Sequence, residues 1–106
     1  MIIYTAADFK RHLEEQGQSV VLSDRDGHWK EVKNQEVTGL TYDSRQVKPQ
    51  TLFVCKGAAF KEKYLNESVA SGAIMYVSET AYDVPIPGLI VPDVRVAMPL
   101  LADLYF

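Results

Sequence analysis

The 106-residue sequence has a single cysteine, no glycine-rich phosphate cradle, and no apolar run near the roughly 20 residues that a membrane-spanning helix needs. Each shortage excludes a class of function. Cys55 alone forms no internal disulfide, and no apolar segment follows a basic start, so the chain reads as cytoplasmic rather than secreted, with no membrane partner. Neither the P-loop nor the dinucleotide glycine spacing occurs, so triphosphate hydrolysis by this chain alone is not expected. His12, on the exposed side of the first helix, and His28, beside a turn, have no cysteine or acidic partner at ligand spacing, which argues against a metal site. Ser44 has no neighbouring histidine to serve as its base, and Cys55 lies in the most apolar segment, where a thiol acts as a small hydrophobe. No catalytic residue is expected in this chain.

The net charge is only −3, and the basic residues stand singly, which speaks against a nucleic-acid partner. With 47% apolar and 24% charged residues the composition is that of a globular domain, and the length suits one domain over residues 1–106. Such a chain builds a core without a disulfide or metal staple.

Thr5 and Asp8 stand at N-cap and N3 spacing before Phe9 and Leu13, and Gly17 supplies a stop, which predicts a first helix. Residues 19–22 and 29–32 flank Asp24-Arg25-Asp26-Gly27 and read as a hairpin. A short strand is expected over Val37–Tyr42, with Gly39 marking a bulge or a close backbone approach. Thr51–Cys55 is a continuous apolar run, the pattern of a strand covered on both faces. Phe60, Tyr64 and Ser68 follow helical spacing up to Gly72, and Ala73–Val77 is again a strand. Residues 51–77 therefore form a strand, helix, strand crossover between parallel strands. Leu89–Val91 is a further strand, and Asp93 caps a helix running towards Phe106, which Pro99 should kink or delay. Leu100–Phe106 is apolar with no terminator, so the chain reads as a fragment ending at a domain boundary; a small protein whose last helix docks on its sheet is the other reading.

Two polar loops follow predicted strands: Tyr42-Asp43-Ser44-Arg45 and Lys56-Gly57-Ala58-Ala59-Phe60. Loops at the carboxyl ends of strands in an open α/β sheet line the crevice where ligands bind. The Ser44 hydroxyl and loop amides suit a pyrimidine edge or phosphate, Arg45 or Lys56 suits the charge, and Gly57 with two alanines lets a ligand approach the backbone. Tyr42 and Phe60 could stack a base. The same loops also read as plain turns, with Asp43 accepting backbone hydrogens and pairing with Arg45, and with the aromatics in the core.

The run Thr38-Gly39-Leu40-Thr41-Tyr42-Asp43-Ser44-Arg45-Gln46-Val47-Lys48-Pro49, then Thr51-Leu52-Phe53-Val54 and Lys56-Gly57-Ala58-Ala59-Phe60, resembles the N-terminal domain of the Mur ligases, nearest their E-type branch. Ser71-Gly72-Ala73, Val84-Pro85 and Leu89 to Arg95 agree in order and spacing, so the likeness covers about residues 37–106. It implies an α/β fold with a small mixed β-sheet and flanking helices, of the Mur ligase N-terminal, UDP-binding type. It also implies an ATP-dependent ligase that joins a diamino acid to UDP-MurNAc-L-Ala-D-Glu in peptidoglycan synthesis. Residues 1–106 would be the UDP-MurNAc-binding domain. ATP and Mg²⁺ would be held by central and C-terminal domains absent from this stretch, with no cofactor bound here.

Carried over by position, the substrate contacts are Ser44, Tyr42, Lys56, Ala58 and Ala59, with Arg45 beside them. After Phe60 the sequence departs from the common Asp-Gly-His stretch and has Lys61-Glu62-Lys63, so contacts of that stretch do not transfer. This variant resembles lysine-adding enzymes, favouring L-lysine over meso-diaminopimelate. An F-type ligase domain and a non-catalytic structural or interaction domain are the alternatives.

Overall fold

Ten elements follow one another along the chain in the computed structural model, which describes residues 2–106. The first helix, α1 (Ala6–Glu15), starts as the spacing predicts. Thr5 Oγ1 accepts from the Asp8 amide at 3.3 Å, and the Asp8 carboxylate accepts from the Thr5 amide at 2.8 Å. This reciprocal box satisfies two N–H groups that a helix start otherwise leaves unpaired. Ala6, Phe9 and Leu13 form the buried stripe of α1. His12 is half-buried rather than exposed, and its Nε2 is a buried atom with no hydrogen-bond partner among the described residues.

The expected hairpin does not form. Val21–Ser23 is a strand, β1, but Trp29–Val32 is a helical turn, α2. Asp24 decides this, because its two carboxylate oxygens accept from the amides of His28 at 2.9 Å and Trp29 at 2.8 Å and bind the backbone into a helical start. β1 instead pairs antiparallel with β5 (Gly88–Ile90), matching Leu22 to Leu89.

The other strands are β2 (Gly39–Thr41), β3 (Thr51–Val54) and β4 (Ala73–Ser78), and the sheet order is β1-β5-β4-β3-β2. β2 through β5 run parallel and β1 opposes them, so the sheet is mixed, as expected. The predicted crossover is present: β3 and β4 are parallel neighbours joined through α3 (Glu62–Ala70). Phe60 lies ahead of that helix, in a turn whose amide bonds the Gly57 carbonyl at 3.1 Å. Gly39 marks a close approach, since a Cβ there would sit 2.6 Å from Thr51 Oγ1.

Side-chain alternation sorts β3 into two cores. Leu52 and Val54 join Phe9, Leu13 and Leu101 on the face covered by α1 and α4 (Val94–Tyr105), whereas Phe53 and Cys55 join Leu65 and Tyr76 on the face covered by α3. A register shift places Leu52 opposite Met75 after Thr51 has paired with Ala73, so Ile74 has no partner of its own. Ile74 and Met75 consequently pack on the same face, as two consecutive residues do only at a bulge. Fully burying Leu52, Phe53 and Val54 contributes roughly 1.5 to 3 kcal/mol each.

Helix α4 begins at Val94 with no delay, because Asp93 accepts from the Arg95 amide at 2.8 Å and Glu79 accepts from the Val94 amide at 3.0 Å. Pro99 is accommodated inside it on the exposed face, where water can solvate the carbonyl that its missing N–H leaves free. At the far end the Tyr105 hydroxyl donates to the Thr38 carbonyl at 2.9 Å, tying α4 to the start of β2. No helix among the described residues is long and apolar enough to cross a membrane.

Candidate functional site

β2 and β3 are adjacent and parallel, so the segments that leave their carboxyl ends emerge side by side. Between them lies a cleft of about 410 Å³ lined by Tyr42, Asp43, Ser44, Arg45, Lys56 and Ala59, with Phe60, Tyr64 and Glu67 completing its wall. That volume is in the range of small-molecule sites. Four of the five predicted contacts therefore face one space: Tyr42, Ser44, Lys56 and Ala59. Ala58 does not; it lines a neighbouring cleft of about 540 Å³ on the other side of its loop, with Cys55, Ser78, Tyr82 and Arg95. Lys56 borders both clefts.

The first loop is rigid for local reasons. Thr41 Oγ1 accepts from the Asp43 amide at 3.0 Å, and Asp43 caps a single 3₁₀ turn over Ser44–Gln46 by accepting from the Arg45 amide at 2.9 Å. The same carboxylate takes the Arg45 guanidinium in a fork, with Nε at 3.0 Å and Nη2 at 2.9 Å. Hydrogen bonds from the Arg45 side chain and amide hold the Asp43 carboxyl below the ordinary range, and the same pairing raises Arg45. The turn reading of Asp-Ser-Arg is thus correct, and it is also what aims Ser44 into the cleft. The Arg45 side of the fork is solvent-exposed, so the pair serves geometry more than stability.

Tyr42 is 56% exposed, which removes it from the core. The Lys56 ammonium sits 4.9 Å from its ring centroid, a cation–π contact that joins the two loops. The second loop turns at Gly57, whose φ of +101 is a conformation that L side chains rarely adopt, with open space beside it. Phe60 packs edge-on against Tyr82 at 5.9 Å and lies against the core on the α3 face of the sheet.

Glu67 and Tyr64 were missed in the sequence reading as cleft residues. Their signal is the i, i+3 spacing that puts both on one face of α3, but nothing local says that this face borders the Ser44 turn. The Ser44 hydroxyl lies 3.5 Å from Glu67 Oε2, at the long limit of a hydrogen bond. Among the described residues no group of three or more His, Cys, Asp or Glu stands together to hold a metal.

Cys55 is buried under this loop, and burial pushes its thiol up to about 12 from an ordinary 9.0, opposed weakly by a hydrogen bond with Ser78. Below pH 9 the thiol is neutral in folded and unfolded chains alike, and its contribution is complete. Between about 9 and 12 the unfolded chain ionises first, so stability is lost as pH rises. The urea midpoint is expected to fall with pH from 9 to 11, less steeply in Cys55→Ala; equal slopes in both would remove Cys55 as the cause.

A mixed sheet with a polar cleft at the carboxyl ends of two neighbouring parallel strands is an α/β architecture whose crevice suits a ligand. No protein-family model matches the chain. Curated relatives do match: it is 43% identical over 98 residues to a UDP-N-acetylmuramoyl-L-alanyl-D-glutamate--L-lysine ligase of Enterococcus faecalis, covering 92% of this chain and 18% of that protein. A ligase of the same name from Streptococcus suis is 41% identical over 101 residues, covering 95% of this chain and 19% of that protein. Among solved structures, MurF from Acinetobacter baumannii superposes with a TM-score of 0.72 over 94% of this chain and 20% of that one, at 22% identity. The chain belongs to the Mur ligase family and has the fold of that family's N-terminal domain. It spans about a fifth of the length of the relatives it matches. The F-type alternative gains nothing further, because that likeness, at 22% identity, is one of fold alone, whereas the curated relatives matched in sequence are named as L-lysine ligases.

Proposed function

We propose that residues 1–106 are the substrate-anchoring N-terminal domain of a cytoplasmic, ATP-dependent ligase that adds L-lysine to UDP-MurNAc-L-Ala-D-Glu in peptidoglycan synthesis. The cleft between the Tyr42–Arg45 and Lys56–Phe60 loops holds the uridine diphosphate end. The observation that carries this is the convergence, at the ends of β2 and β3, of an exposed aromatic ring, the Ser44 hydroxyl and the Lys56 ammonium on one cleft of nucleotide size. Tyr42 offers a face for a base, Ser44 a hydrogen bond, and Lys56 a charge for phosphate. The names of the curated relatives support the substrate and the added amino acid.

The domain acts by position. Fixing one end of a long substrate lets binding energy far from the reacting carboxylate orient that carboxylate for attack by an amine. The residues of this chain do not fit ATP or Mg²⁺: the sequence has no phosphate cradle, and acidic groups at the cleft are engaged or single. Activation of the carboxylate therefore falls to other parts of the ligase, and Ser44, Tyr42 and Lys56 are binding residues rather than catalytic ones.

A backbone-amide NMR titration with UDP-MurNAc-L-Ala-D-Glu, with UDP and with an unrelated nucleotide tests the reading. Saturable shifts confined to residues 42–45 and 56–60 with both uridine ligands are expected, and equal shifts with the unrelated nucleotide would sink it. Ser44→Ala is expected to weaken binding by roughly 0.5 to 1.5 kcal/mol, the net worth of one hydrogen bond. An unchanged affinity in a folded variant would remove Ser44 from the site.

A further inference from the structure

The cleft that suits a diphosphate also carries a carboxylate. Glu67 lines it, on the α3 wall facing the Ser44 turn, and it forms no ion pair among the described residues. Lys56 is likewise outside every ion pair, and Arg45 is occupied by Asp43. The cleft is therefore polarised, with its available positive charge at Lys56 over Tyr42 and its available negative charge at Glu67.

Helix stability does not account for Glu67. It stands in the second half of α3, four residues before the C-cap Ser71, where the negative end of the helix dipole disfavours a carboxylate. A nucleoside diphosphate in this cleft must turn its phosphates towards Lys56 and away from Glu67. What meets Glu67 must donate, because an ionised carboxylate only accepts. The uracil N–H is a poor match, since the carbonyl oxygens on either side of it would be driven against the carboxylate. A ribose diol presents two adjacent O–H donors to two carboxylate oxygens with no acceptor forced between them. An acidic side chain on ribose hydroxyls is a recurrent solution in nucleotide-binding α/β folds.

We infer that Glu67 reads the ribose hydroxyls of the nucleotide and, with Lys56, sets the direction in which the nucleotide lies in the cleft. This rests on the uridine-diphosphate reading of the same cleft. Its consequence is a preference for ribonucleotides that the predicted contact residues would not give by themselves.

Affinities of UDP, 2′-deoxy-UDP and 3′-deoxy-UDP, measured by amide NMR titration on the 106-residue chain and on Glu67→Ala and Glu67→Gln, test it. The side chain is exposed and on the helix surface, so both variants should fold, which their spectra check directly. The chain is expected to bind UDP about tenfold more tightly than at least one deoxy analogue, the factor for one charge-assisted hydrogen bond. Glu67→Ala should lose that discrimination, and Glu67→Gln, which keeps an acceptor oxygen, should retain part of it. If Glu67→Ala binds UDP as tightly as the parent or more so, or weakens all three ligands alike, the ribose assignment is overturned while UDP shifts at residues 42–45 and 56–60 keep the cleft reading. If UDP produces no shifts at those residues in the parent chain, both fall together.

Discussion

Gly88→Ala is expected to destabilise the fold by about 3 kcal/mol or more. Gly88 on β5 is the direct partner of Tyr76 on β4, and the Tyr76 ring lies flat over it. A Cβ at position 88 would sit 2.2 Å from Tyr76 Cζ and 2.6 Å from both Cε atoms. The ring is fully buried and has nowhere to go. Its hydroxyl also accepts from the Tyr82 amide at 2.9 Å, which holds the loop after β4, so displacing the ring frees a backbone donor as well. Urea unfolding of Gly88→Ala, Tyr76→Leu and the double variant checks this. The double variant should be more stable than the sum of the single effects, because the clash needs both partners. A Gly88→Ala protein within 1 kcal/mol of the parent would show that the ring can move.

Reversing the charge at Lys56 should have the largest effect on binding. Lys56→Glu is expected to weaken UDP affinity by about 3 kcal/mol, or roughly 100-fold, while thermal stability stays nearly unchanged because Lys56 anchors no ion pair among the described residues. On the proposed binding, a charge-assisted hydrogen bond to phosphate would be lost, and a second carboxylate would join Glu67 in the cleft. Lys56→Met should lie between the two, about tenfold weaker than the parent. Salt should weaken the parent's binding more than that of either variant, since the interaction is partly exposed and screened. Titration of UDP at two ionic strengths measures both effects, and binding by Lys56→Glu within threefold of the parent would place the phosphates elsewhere.

The parts of the fold that local chemistry controls were legible. The Thr5 and Asp8 capping box is four residues long and needs no distant partner, and α1 starts where it says. β3 is four buried residues in a row, which demand cover on both faces and so a parallel crossover through α3. The Asp43 fork on Arg45 is local as well, as is the Ser44 turn it fixes. The hairpin at residues 19–32 failed for the same kind of reason: an Asp-Gly turn signal competed with Asp24, whose carboxylate reaches four and five residues ahead and wins.

The cleft divides along the same line. Tyr42, Ser44, Lys56 and Ala59 could be picked from two loops that follow strands, because a loop after a parallel strand opens on the ligand side whatever the rest of the sheet does. Glu67 could not, because it lies 23 residues from Ser44 and its meeting with that turn depends on how α3 packs. Ala58 was carried over together with Ala59 from the family resemblance, yet one residue of turn geometry sends them to different clefts.

By itself the sequence determined an α/β fold, its first helix, its most buried strand, and the loops that present Ser44 and Lys56. Those follow from short-range capping, apolar runs and turn chemistry, which act over a few residues. Only the tertiary structure decided that β1 would close the sheet against β5, that Tyr76 would lie over Gly88, and that Glu67 would face Ser44. Each of those is a contact between segments far apart in the chain. Its energy comes from burial and register that no stretch of sequence carries alone.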